Sequence, residues 1–151
     1  MFAININKNA PVIAHDQLFI NAQPKQVWLI LTNINQWPKW QSAIQQAYVE
    51  EALAEGVTFE WKAGGLFFTS VIHTCAAHRF FGWTGKTIGA FAVHNWEFIP
   101  HNGGTLAKVE ESLQGIFPSL FKSAFIRTLE KGMKTQLNEL KTAAEKTEVN
   151  Q

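Results

Sequence analysis

The sequence predicts an α+β fold in which a curved antiparallel sheet wraps around a long C-terminal helix. Three observations predict it. Apolar and polar residues alternate from about position 43 to position 113, as they do in half-buried strands. Glycine-rich turns at Ala63-Gly64-Gly65 and Asn102-Gly103-Gly104 join consecutive strands, as in an antiparallel meander. After Gly115 the apolar period changes to threes and fours over roughly 25 residues, the spacing of an amphipathic helix.

The segment before the meander predicts one strand and two short helices. The strand covers Val12–Asn21. Pro24 opens the first helix, because a proline in the first turn loses no hydrogen bond. Pro38 restricts the backbone before it, so the second helix is short. The first ten residues are polar and rich in Asn, which predicts partial disorder, and residues 146–151 predict a frayed tail.

The meander and the first strand together predict a sheet of about six to seven strands. A sheet with one apolar face needs a cover. The C-terminal helix is the only element long enough, and a twisted sheet curls around such a helix. A cavity then remains between sheet and helix unless large side chains fill it. The helix presents an apolar stripe made of Phe121, Phe125, Leu129, Met133, Leu137, Leu140 and Ala144.

Composition and charge narrow the function. The 151 residues fit one domain, 1–151, with an ordered core at about 12–145. The net charge is +1, with only Arg79 and Arg127 as arginines, which argues against nucleic acid as a partner. The single cysteine, Cys75, allows no internal disulfide and fits a reducing compartment. We find no secretion signal and no stretch of about 20 apolar residues, so we expect a cytoplasmic protein without integral membrane association. Nothing in the sequence indicates the oligomeric state.

Three groups of residues carry a family resemblance. The first is Pro24-Lys25-Gln26-Val27-Trp28 followed by Asn35-Gln36-Trp37-Pro38-Lys39-Trp40. The second is Phe81-Gly82-Trp83-Thr84-Gly85 followed by His94-Asn95-Trp96-Glu97-Phe98. The third is Gly103-Gly104-Thr105 leading to Glu110-Glu111-Ser112-Leu113-Gln114-Gly115. In this order, over about residues 12–145, the chain resembles the polyketide cyclase/dehydrase branch of the START-like (SRPBCC) superfamily.

The resemblance implies a helix-grip fold with a hydrophobic ligand cavity. It does not imply one activity, because the superfamily includes lipid carriers, hormone receptors, aromatic cyclases and chaperone activators. The fold alone therefore does not specify the function.

Two polar residues are predicted to face the apolar interior. His94 alternates in phase with Trp96 and Phe98, and Glu111 with Val109 and Leu113. Each residue also has an alternative interpretation. His94 can be a hydrogen-bonded structural residue, and a register break can place Glu111 in water at the rim of the sheet. If both point inward on adjacent strands, they meet. Such a pair can transfer protons or orient a polar group of a ligand.

Aromatic residues are the other ligand-binding candidates. The chain has twelve Phe and six Trp but one Tyr, which indicates either a bulky core or an aromatic cavity. For any one ring, plain core packing is the alternative. The predicted lining consists of Phe59, Trp61, Trp83, Trp96, Phe98, Phe121 and Phe125. We assign Trp28, Trp37 and Trp40 to packing of the first helices, with Trp37 or Trp40 as an alternative entrance gate. No metal-ligand spacing and no phosphate-binding glycine loop is present, so we predict no metal and no cofactor.

Three functions remain open from sequence. The first is non-catalytic binding of a hydrophobic small molecule, aromatic or polycyclic, in the internal cavity. The second is a polyketide cyclase or dehydratase that uses the same cavity, with His94 and Glu111 as the groups that move protons. The third is a chaperone-activator-like interaction module, which requires a filled interior and an exposed patch.

Overall fold

The computed structural model describes residues 1–149, in which seven antiparallel strands form one sheet. The strand order is β1-β7-β6-β5-β4-β3-β2. Hairpins place β2 to β7 side by side in sequence order, and β1 joins the edge beside β7. The strands are β1 (Val12–Ile20), β2 (Ile44–Tyr48), β3 (Thr58–Ala63), β4 (Leu66–Ala76), β5 (Phe80–Thr87), β6 (Ala90–His101) and β7 (Gly104–Gln114). The predicted meander and both glycine hairpins are confirmed.

The helices lie before and after this meander. They are α1 (Pro24–Thr32), α2 (Trp37–Trp40), α3 (Ile116–Leu120) and α4 (Lys122–Val149). The two short helices after the first strand are confirmed. The predicted long helix is divided near Phe121, because α3 stays attached to the turn between β5 and β6. There the Phe117 N–H donates to the carbonyl of Gly89 at 3.3 Å. The tail predicted over 146–151 lies partly outside the described residues.

The two halves of α4 differ in how they pack. Leu137, Leu140 and Ala144 are buried in its C-terminal half, which lies along β1 and α1, and Met133 is buried just before that half. Phe125 and Leu129, in the N-terminal half, are only partly buried. The sheet thus grips the helix by its C-terminal half, which confirms the helix-grip fold and leaves space under the N-terminal half.

The N-terminal segment is ordered against the outer face of the sheet, in contrast to the predicted disorder. The Ala3 N–H donates to Thr74 Oγ1 at 2.8 Å, and the Asn7 N–H donates to Ser112 Oγ at 3.0 Å. Asn95 Nδ2 donates to the Ile4 carbonyl at 3.0 Å. Thr74, Asn95 and Ser112 are themselves buried. Backbone groups of the segment therefore satisfy polar side chains that the sheet would otherwise leave without partners.

His73 belongs to this polar layer. Its Nδ1 lies 2.8 Å from Thr74 Oγ1, which also accepts from the Ala3 N–H. Its Nε2 lies beside the Asn95 side chain above Gly82. Burial lowers the pKa of His73, and the neighbouring Asn95 side chain acts in the opposite direction.

We expect acid to weaken the fold through His73. Because its pKa is lower in the folded chain, the unfolded chain binds the proton more readily. The stability from neutral His73 is therefore complete above about pH 6.5 and declines as the pH falls toward the folded-state pKa. His73→Gln should lose less stability than wild type between about pH 7 and pH 5 in urea unfolding. His15→Gln, at an exposed position of β1, is the control. Equal pH dependence in wild type and His73→Gln would contradict the assignment.

Candidate functional site

A cavity of about 450 Å³ lies between the inner face of the sheet and the N-terminal half of α4. Trp37 and Gln41, both buried, form its inner end. Leu66, Ile88 and Phe117 line the opposite end and are exposed, so this end is the mouth. The volume falls within the range of about 300–1,000 Å³ that is usual for small-molecule sites.

The cavity exists because inward side chains change size along the strands. Strand register aligns the inward residues of neighbouring strands in rows across the sheet. One row consists mostly of large side chains, which fill the interior at that end of the sheet, namely Phe81, Trp96 and Val109. Toward the mouth, another row is mostly small and consists of Ser70, Gly85, Ala92 and Leu113. The middle row contains Ile72, Trp83, His94 and Glu111.

Aromatic rings form much of the cavity wall. Trp61 stacks on Phe68 with 4.1 Å between ring centroids, and its Nε1–H donates to Ser70 Oγ at 3.0 Å. Trp83 stacks on the His94 ring at 4.4 Å and lies 5.6 Å from the ring of Trp37. Because these rings hold one another in place, the wall is a preformed surface against which a flat apolar molecule can stack.

One polar pair interrupts this wall. His94 and Glu111 are register partners on β6 and β7, and His94 Nδ1 lies 2.8 Å from Glu111 Oε2. His94 is 7% exposed, and the side chain of Glu111 is 14% exposed. An ionised carboxylate only accepts, so Nδ1 carries the proton. In a neutral His94 ring Nε2 is then an acceptor, and it has no hydrogen-bond partner among the described residues. The two residues thus meet as predicted, and Glu111 does not lie at the solvent-exposed edge of the sheet.

A second polar point lies at the inner end. Gln136 of α4 donates to Gln41 Oε1 at 2.9 Å, and both residues line the cavity. Gln41 is 3% exposed, and its Nε2 donor finds no partner in the part of the chain that the structure describes. The cavity therefore offers an acceptor at His94 and a donor at Gln41, inside an otherwise apolar lining.

The structure places the nine predicted ligand-binding residues in three groups. Five of them line the cavity, namely Trp61, Trp83, His94, Glu111 and Phe125. Three others are buried in the core beyond the cavity lining, namely Phe59, Trp96 and Phe98. Phe121 is exposed at the break between α3 and α4, because the helix does not continue straight through it. A two-residue alternation identifies the inward face but not the position along the strand where large side chains give way to small ones.

Other lining residues were not among the predicted ones. Trp37 was assigned to helix packing, and it does both, since its Nε1–H donates to the Leu31 carbonyl at 2.7 Å. Leu129 and Met133 belong to the predicted helix stripe, which already signalled that they face the sheet. Gln41 and Gln136 carry no sequence signal, because glutamine is most often a surface residue.

Residues 1–149 contain no group of three or more His, Cys, Asp or Glu side chains placed to hold a metal ion. Within the same residues, no helix is both long and apolar enough to cross a bilayer.

Solved structures share this architecture at low sequence identity. A hypothetical protein from Helicobacter pylori superposes with a TM-score of 0.81 at 13% identity, over 95% of this chain and 99% of that one. The Zhui aromatase/cyclase from a Streptomyces species gives 0.75 at 13% identity, over 88% and 93%. A START superfamily protein from Mycobacterium smegmatis gives 0.65 at 12%, over 85% and 98%. No curated protein matches this chain.

The helix-grip fold is therefore shared with a START superfamily protein and with an aromatase/cyclase. Residues 13–145 match the family described as polyketide cyclase / dehydrase and lipid transport. The chain belongs to that family.

Proposed function

We propose that this protein binds a hydroxylated aromatic or polycyclic small molecule in the cavity under α4. The observation that carries the proposal is an aromatic cavity of about 450 Å³ whose wall contains the His94–Glu111 pair. Apolar burial supplies the affinity, and the pair supplies the orientation. Since His94 Nε2 is an acceptor, the matching ligand group is a donor, and a phenolic hydroxyl is the donor most common on such molecules.

The expected affinity follows from the buried area. A ligand that removes roughly 400 Å² of apolar surface from water gains about 10 kcal/mol. Association and ordering cost at least about 4 kcal/mol. The difference of at most about 6 kcal/mol corresponds to a Kd of about 40 µM or weaker. The hydroxyl adds specificity, because its hydrogen bond to His94 is worth about 1 kcal/mol net, or about fivefold.

Hydroxypyrene and pyrene are a matched pair of probes for this test. Energy transfer from the lining tryptophans Trp37, Trp61 and Trp83 reports binding of either molecule. We expect both to bind saturably and hydroxypyrene to bind about fivefold more tightly. His94→Phe combined with Glu111→Leu should abolish the preference and keep the affinity for pyrene. Native mass spectrometry of the purified protein shows in addition whether a ligand accompanies it. Absence of saturable binding of both probes would overturn the proposal.

A second candidate is catalysis of the cyclase or dehydratase type. It is favoured by the geometry of the pair, because Glu111 orients His94 and leaves Nε2 free to take a proton from a substrate. Two of the similar structures, Zhui and the di-domain ARO/CYC protein StfQ of the steffimycin pathway, are named for such activity. StfQ superposes at 16% identity with a TM-score of 0.78, over 90% of this chain and 51% of that one. Turnover of a polyketide that stops in His94→Ala while binding persists would establish catalysis.

The interaction-module alternative fits the structure less well. It requires an interior filled by side chains, and the space under the N-terminal half of α4 is not filled. It does correctly anticipate an exposed apolar patch, which lies around the mouth of the cavity.

A further inference from the structure

The mouth of the cavity carries an unusual concentration of exposed apolar side chains. Ile88, Ile116 and Leu120 are 73%, 66% and 69% exposed. We call the whole set the apolar rim, and it consists of Leu66, Phe67, Ile88, Ile116, Leu120 and Phe121. Large apolar side chains that lie together on a surface usually mark an interaction site.

Three chain segments are held together to form the rim. The turn between β3 and β4 is tied to β5, because Thr87 Oγ1 donates to the Phe67 carbonyl at 2.9 Å. The turn between β5 and β6 is tied to α3 through Gly89, over which the ring of Phe117 lies. A side chain at position 89 would collide with that ring. With Phe117 turned toward the cavity and Pro118 buried, Ile116 and Leu120 remain on the outside of α3.

The two stretches of the chain that carry the rim contain basic residues and no acidic ones. Residues 61–96 include Lys62 and Lys86 and no acidic residue. Residues 112–129 include Lys122 and Arg127 and no acidic residue. The chain as a whole is nearly balanced, with 13 basic and 12 acidic residues. The chain segments that expose these apolar side chains therefore carry positive charge and no negative charge.

This combination selects among the surfaces that could cover the rim. A second copy of the chain, meeting this face across a two-fold axis, would bring like charges together around the contact. An anionic bilayer complements both the apolar side chains and the positive charge. Its acyl region accepts the apolar side chains to a depth of about 5–10 Å, and its headgroups attract the lysines.

We propose that the apolar rim docks on an anionic lipid bilayer, with Lys62, Lys86 and Lys122 at the headgroups. The mouth of the cavity then faces the acyl region, and a hydrophobic ligand can pass between bilayer and cavity without crossing water. The docking is independent of the proposed function, whereas the passage of a ligand rests on it.

Flotation with vesicles tests the docking. We expect the protein to float with phosphatidylcholine vesicles that contain phosphatidylglycerol, and about tenfold less with phosphatidylcholine alone. Added salt should weaken the interaction, because it screens the lysines. Failure to float with the anionic vesicles overturns the proposal and leaves the rim to a protein partner. Equal flotation with both vesicle types also overturns it.

Matched variants locate the contact. Ile116→Ser with Leu120→Ser should reduce flotation about tenfold or more, because both side chains leave the acyl region. The control is Leu29→Ser with Tyr48→Ser, which removes two exposed apolar side chains from α1 and β2. Since neither serine variant changes the cavity lining, pyrene binding should be unchanged in both. Equal loss of flotation in both variants overturns the assignment to the rim.

Charge reversal provides a second matched comparison. Lys86→Glu with Lys122→Glu should reduce flotation with anionic vesicles about tenfold or more. Lys25→Glu with Lys108→Glu makes the same change in net charge at exposed positions on α1 and β7 and should have a smaller effect. If the two pairs reduce flotation equally, net charge rather than the rim is responsible, and the proposed orientation is overturned. These readouts do not depend on hydroxypyrene binding, so docking and ligand binding succeed or fail separately.

Discussion

An Ala92→Phe variant is expected to lose about seventyfold in affinity for hydroxypyrene while it keeps the fold. Ala92 lies on β6 in the row of small inward residues, with Gly85 and Leu113 as its register partners. A phenyl ring there projects into the cavity. If it denies the ligand roughly 100 Å² of contact, about 2.5 kcal/mol of apolar burial is lost, which is a factor of about 70 in Kd.

Stability should move little or slightly upward in Ala92→Phe. Phenylalanine is favoured in strands, and the ring enters space that is already open, so no overpacking follows. The control is Thr69→Phe, a similar enlargement at an exposed position on β4. It should bind hydroxypyrene as wild type does. Titration of both variants, with urea unfolding as the check on folding, decides the matter. Wild-type affinity in a folded Ala92→Phe protein would mean that the cavity is not the binding site.

The second large effect is expected when the His94–Glu111 pair is broken. His94→Phe leaves a mostly buried carboxylate without its partner, and Glu111→Leu leaves the ring N–H unsatisfied. Each change should cost about 2 kcal/mol. For a chain of this length, that lowers Tm by about 4–8 °C. Replacing both residues removes both polar groups together, so the double variant should lose only about 1 kcal/mol relative to wild type.

These values imply a coupling energy of about 3 kcal/mol between the two residues, as expected for residues in direct contact. The control cycle uses the same substitutions at exposed positions, His15→Phe on β1 and Glu60→Leu on β3. Those effects should add within about 0.5 kcal/mol. Urea unfolding of all the variants provides the free energies. A coupling below about 0.5 kcal/mol at His94 and Glu111 would show that the pair does not form a stabilising interaction in solution.

The same cycle separates orientation from stability. The double variant should bind pyrene as wild type does but should not prefer hydroxypyrene, because no acceptor remains on the middle row of the cavity wall. If the preference for the hydroxyl survives, it comes from another polar group, and Gln41 at the inner end is the next residue to replace.

Local sequence patterns determined the architecture of this protein. Two-residue alternation, two glycine hairpins and a helical stripe predicted the sheet and its helix, because each pattern follows from the geometry of a single element and its nearest neighbour. The phases of His94 and Glu111 on their strands predicted that both face inward. Prolines at positions 24 and 38 placed the two short helices, because proline constrains the backbone on which it stands.

Only the tertiary structure decided where the interior is empty. Whether Trp96 fills the core and Trp83 lines the cavity depends on the row each one occupies across the sheet, and a row is set by the register of several neighbouring strands together. The break at Phe121 likewise depends on the contact of Phe117 with Gly89, which are far apart along the chain. The cavity, its polar pair and its apolar rim all arise from such long-range contacts. Alternation in the sequence specifies which face of the sheet a side chain is on, and only packing specifies whether it meets the core or the cavity there.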